Sequence, residues 1–91
     1  MSRTRRTVEI RVTAEDIAAG VRRDRCGCPL AIACRRAGLV QADVNEHTIA
    51  FGPFAARTVV LMPSAMSQWR HDYDNGEAVK PETFALAVPH D

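Results

Sequence analysis

The chain has 91 residues, 46% hydrophobic and 25% charged, with a formal net charge of +1. Such a chain makes one small globular domain, and none of its apolar runs is long enough to span a bilayer. The arginines after Met1 are not followed by an apolar segment, which argues against a secretory signal and for a cytoplasmic location where three cysteines stay thiols.

Residues 1–6 read as a flexible basic arm carrying Arg3, Arg5 and Arg6, and residues 7–91 as a single domain. Thr7 to Val12 alternates: Val8, Ile10 and Val12 fall on one side, Glu9 and Arg11 on the other, as in a half-buried strand. Thr13 with Asp16 forms an approximate capping box that opens a short helix. Ile17 and Val21 give that helix an apolar stripe, and Gly20 ends it. Val21 to Gly27 is a basic loop. Pro29 suits the first turn of a second helix, where its missing N–H costs nothing. Leu30, Ala33, Cys34 and Ala37 share one face of it, and Ile32 projects from the opposite side. Arg35 and Arg36 complement its C-terminal dipole, and Gly38 is a fitting stop.

Further on, Ile49 and Phe51 alternate, and Gly52-Pro53 marks a turn. The run Val59-Val60-Leu61-Met62 reads as a central strand covered on both faces. Pro63-Ser64 opens a third helix with Ser64 as its cap, and Met66, Trp69 and Tyr73 lie along one face. Asp74-Asn75-Gly76 closes it. Phe84, Leu86 and Val88 then alternate with Ala85 and Ala87 in a last strand. The expected fold is a two-layer α+β domain. Its sheet is mostly antiparallel, with about four strands and three helices on one face, the first and last strands being possible neighbours.

Three stretches together carry a resemblance. They are Val12-Thr13-Ala14-Glu15-Asp16-Ile17-Ala18-Ala19-Gly20, the helix start Cys28-Pro29-Leu30-Ala31-Ile32-Ala33, and Tyr73-Asp74-Asn75-Gly76 followed by Val79-Lys80-Pro81 and Phe84-Ala85-Leu86. This pattern resembles a diffuse group of small proteins encoded by phages and prophages of actinobacteria. The resemblance implies a phage accessory protein, of a class that mostly works by binding host or phage macromolecules. It transfers no activity and no functional residue. Many members space the two cysteines by two residues, whereas here only Gly27 separates Cys26 from Cys28, which weakens a metal-site reading.

The chemistry-bearing residues concentrate in the first half. Residues 1–40 hold nine arginines against Glu9, Glu15, Asp16 and Asp24, a net +5, and residues 41–91 carry −4. Arginine forks suit phosphates and carboxylates, although an arginine-rich surface is also what GC-rich coding yields. Arg22, Arg23 and Arg25 share a loop beside a helix start, so an anionic partner is expected there, helped by Arg3, Arg5 and Arg6. This supports two readings: a protein partner of host or phage origin, or a nucleic acid. The second lacks both a helix-turn-helix spacing and an aromatic platform.

Cys26 and Cys28, next to those arginines, are redox candidates with an expected low pKa. Their bland reading is a pair of small packing residues. Zinc would need Cys26, Cys28, Cys34 and one of His47, His71 or His90, at a spacing that matches tetrahedral sites poorly, so no metal and no cofactor are expected. His71, Asp72 and Asp74 diverge around a helix and lack a nucleophile, so no catalysis is expected either. The first reading is therefore a non-enzymatic binding protein, the second a nucleic-acid-binding regulator, and the third a thiol- or zinc-dependent module.

Overall fold

The alternating segments at the two ends of the chain find each other. In the computed structural model, which describes residues 5–89, β1 (Arg5–Val12) pairs antiparallel with β5 (Glu82–Pro89). The register sets Val8 against Leu86 and Ile10 against Phe84, so both apolar faces enter the core together. The strand starts at Arg5 rather than Thr7. Arg5 and Arg6 therefore belong to the ladder, opposite Pro89 and Val88, and not to a basic arm. Arg3 and the rest of residues 1–4 lie outside the described residues.

Thr13 and Asp16 form a complete capping box at the start of α1 (Ala14–Ala19). The Asp16 N–H donates to Thr13 Oγ1 at 3.2 Å, and the Thr13 N–H donates to Asp16 Oδ2 at 2.9 Å. Gly20 ends this helix for a packing reason. Its φ is an ordinary −73°, but a Cβ there would lie 2.4 Å from Pro29 Cδ, so only glycine lets the next helix approach. Val21, expected to extend the apolar stripe, is exposed instead.

Pro29 opens α2 (Pro29–Arg36), as its fixed φ favours. Gly38, at φ +100°, closes it. The Leu39 N–H donates to the Cys34 carbonyl and the Gly38 N–H to that of Arg35, which satisfies the last carbonyls and folds Leu39 into the core. This helix packs on β1 and carries α1 on its flank.

The middle of the chain departs from a single sheet. β2 (Asp43–Val44), β3 (Thr48–Phe51) and β4 (Thr58–Leu61) form a separate three-stranded antiparallel sheet in that order. Only Val60 of the β4 run Thr58–Leu61 points into the core, while Val59 and Leu61 are 62% and 75% exposed. The expectation of a central strand covered on both faces is thereby corrected. β4 is an edge strand, and among the described residues nothing covers Val59 and Leu61 on its outer face. α3 (Ser64–Asp74) follows, burying Met66, Trp69 and Tyr73 as its spacing requires. Its N-cap position is Pro63, and Ser64 makes no capping bond. Both sheets and the helices contribute to one core, in which Ile10, Leu30, Ile49, Met66 and Leu86 are fully enclosed. The fold is a small α+β domain, with five strands in two sheets and three helices among the described residues. Among the described residues no helix is long and apolar enough to cross a membrane.

Candidate functional site

The loop from Val21 to Gly27 is shaped by its one acid. The Asp24 carboxylate accepts from the N–H groups of Cys26 and Gly27, each at 3.0 Å, and its carbonyl accepts from Cys28 at 2.8 Å. Arg23 takes a left-handed conformation, φ 60°, and its N–H donates to Asp74 Oδ1 at 2.9 Å. The Arg25 carbonyl receives the Val44 N–H at 2.8 Å, which ties the loop to β2. Arg35 ties it from the other side, through a 2.6 Å bond to the Cys26 carbonyl.

This framework divides the arginines by role. Arg22 donates through Nε to the Tyr73 carbonyl at 3.2 Å and lies 5.9 Å from that ring's centroid, so it fastens the loop to α3. Arg36 grips the buried Asp16 carboxylate with both Nη atoms, at 2.8 and 2.6 Å, and bonds the Arg11 carbonyl. Arg23 and Arg25 are exposed, and among the described residues neither guanidinium has a hydrogen-bond partner within the chain. Arg5 and Arg6 sit on β1 and line neither of the hollows beside the loop.

The loop borders an open cleft of about 860 Å³ between the β2–β3 connection and α3. Arg23, Arg70, His47, His71 and Ser64 contribute donors there, and Glu46 and Asp74 contribute carboxylates. Arg70 pairs with Asp74 at 3.4 Å, and its buried Nε has no partner. A second hollow next to it is walled by Arg22, Arg23, Arg25 and Arg70. His71 Nε2 lies 3.0 Å from Asn75 Nδ2, and Asp72 accepts from Gln68 at 2.9 Å. Among the described residues no hydrogen bond links either histidine to a serine. The arrangement presents fixed donors to a polar group entering from solvent.

The cysteines depart from expectation. The Cys26 thiol donates to Asp43 Oδ1 at 2.7 Å, and that carboxylate, together with Asp24, raises its pKa above the ordinary value against the weaker pull of Arg25. Asp43, 17 residues beyond Cys26 in the sequence, also pairs with Arg57 at 2.9 Å. Cys28 is buried at the α2 start, and burial raises its pKa more than the nearby N–H groups of Ala31 and Leu30 lower it. Cys34 is in the core, with its pKa pushed up to about 12. The arginine loop therefore does not produce an activated thiolate at either redox candidate. Among the described residues no three His, Cys, Asp or Glu side chains are grouped to hold a metal, and His90 lies outside those residues.

Alkylation tests this directly. Cys26 should react with iodoacetamide only as pH rises above the ordinary thiol range, because the thiolate is the nucleophile. Asp43→Asn should shift the rate profile to lower pH, and Cys28 and Cys34 should stay unmodified in the folded protein. A Cys26 that reacts fully at neutral pH contradicts the hydrogen-bonded thiol.

No family model matches the chain, and no match was found among curated proteins or solved structures.

Proposed function

We propose that this chain is a non-enzymatic phage accessory protein that acts in the host cytoplasm by binding an acidic surface of a host or phage protein. The observation that carries the reading is the pair Arg23 and Arg25, exposed and without a guanidinium partner among the described residues, both lining the second hollow, with Arg23 also on the wall of the cleft that holds further donors. Guanidinium forks bind carboxylates in a bidentate manner, and a loop fixed by Asp24, Arg22 and Arg35 loses little freedom on binding.

A protein partner is favoured over nucleic acid by the interspersed acids. Asp24, Glu46 and Asp74 stand among the basic groups, where they interrupt the continuous positive track a phosphate backbone would follow, while Arg23 and Arg25 can each still take a separate carboxylate. Arg22, which sequence alone adds to the basic surface, is engaged inside the protein, as are Arg35 and Arg36.

The test is affinity purification of the tagged protein from host cells, with nuclease treatment, for wild type and Arg23→Ala/Arg25→Ala. The expected result is a protein partner that survives nuclease and is lost from the double variant, while its melting stays within about 0.5 kcal/mol of wild type. Duplex DNA or RNA retained at low salt, and lost in the variant, would instead favour the nucleic-acid reading.

A further inference from the structure

Among the described residues, the three-stranded sheet has one occupied edge and one open edge. On the β2 side the outward N–H of Val44 is taken by the Arg25 carbonyl at 2.8 Å. On the β4 side the Met62 N–H donates to the His47 carbonyl, and the register sets Val60 against Ile49. The backbone groups of Val60 and Met62 thus face β3, so those of Val59 and Leu61 point out of the sheet. Exposed edges are normally blunted by a lysine, a proline, a bulge or an inward charge. Residues 58–62 contain none of these, and their outward side chains are aliphatic.

We propose that a second copy of this chain covers this edge, β4 pairing antiparallel with its counterpart about a two-fold axis at Val60. This position of the axis is selected by the sequence. Centred on Val60, Val59 and Leu61 of one copy meet Leu61 and Val59 of the other as hydrogen-bonded pairs, and every outward backbone group of both residues is used. Moving the axis to Leu61 sets Val59 against Pro63, which has no N–H, and moving it to Val59 sets Leu61 against the charged Arg57. In the Val60 register no charge faces a like charge, since Arg57 is held by Asp43 and lies opposite Pro63. Because the β2 edge is already bonded, the pairing closes on itself and cannot propagate into a fibre. Phe54, 78% exposed in the turn before β4, carries the Arg57 guanidinium 5.2 Å from its ring centroid.

A strand pair this short buries less than a standard interface, so association on the order of micromolar is expected. Val59, Val60 and Leu61 line neither hollow, so the dimer is independent of the cleft. Sedimentation velocity across low to high micromolar protein is the test. Wild type should pass from monomer to dimer with concentration. Leu61→Lys should stay monomeric, because it sets a charge against Val59 of the other copy at the pairing edge. Val59→Pro should do the same, because the lost N–H points away from β3 and an edge strand accommodates proline. Far-ultraviolet circular dichroism checks that each variant is folded, and a folded monomer from either one supports the pairing. A wild type that is monomeric throughout overturns the proposal, as does a dimer that survives in both folded variants.

Discussion

Trp69→Ala should remove about 3–5 kcal/mol, a large share of this domain's stability. A chain of this length holds roughly 5–14 kcal/mol. Trp69 is 6% exposed, stacks on Tyr73 with ring centroids 5.7 Å apart, and donates through Nε1 to the Lys80 carbonyl at 2.9 Å. It thereby joins α3 to the segment that leads into β5. Truncation leaves a cavity and unties that segment, at a cost of about 3–5 kcal/mol. At 4–8 °C per kcal/mol for a domain of this size, the melting point should fall by more than about 12 °C. Trp69→Phe keeps the stack but loses the hydrogen bond, and should cost about 1–2 kcal/mol. A melt unchanged by Trp69→Ala would mean that α3 does not dock through this face.

Asp16→Ala should have the next largest effect, on the order of 2–4 kcal/mol. One carboxylate closes the capping box and receives both Nη atoms of Arg36, while only 4% of it is exposed. The Arg36 hydrogen bonds hold its pKa near 2, below the ordinary 3.8. The unfolded chain therefore takes up this proton before the folded one. The carboxylate's contribution, about 2 kcal/mol, is complete above the unfolded pKa and is lost as pH falls from about 4 to about 2. Urea midpoints measured across that window should drop more steeply for wild type than for Asp16→Ala. Parallel profiles would show that the ion pair does not contribute. The exposed half of Arg36 lets it rehydrate once unpaired, which keeps the estimate below that for a fully buried pair.

Local signals in the sequence translate well into structure. Alternation at Val8-Ile10-Val12 and Phe84-Leu86-Val88, the Thr13–Asp16 box, Pro29 at a helix start and Gly38 at a helix end each depend on neighbours a few residues apart. What escapes is long-range pairing. The Val59-Val60-Leu61 run is apolar on both faces, which suggests two covering layers, but the pattern does not reveal whether a second layer exists. β2 is too short to alternate. The low-pKa expectation at Cys26 fails because Asp43 approaches from another strand, and the arginine cluster divides because the partners of Arg22 and Arg36 are distant in sequence. Charge in the loop was legible from residue types; its division into fastening and free guanidiniums was not.

The claim that Arg23 and Arg25 form the partner surface, with Arg22 serving the fold, is tested most directly by the salt dependence of partner retention. Wild type, Arg22→Ala and Arg23→Ala/Arg25→Ala are compared at low and high salt, with melting measured in parallel. The account predicts that wild type loses its partner steeply as salt rises. The double variant should be folded as well as wild type and bind weakly at every salt concentration, while Arg22→Ala should chiefly lower the melting point. Equal retention by wild type and a folded double variant would contradict it.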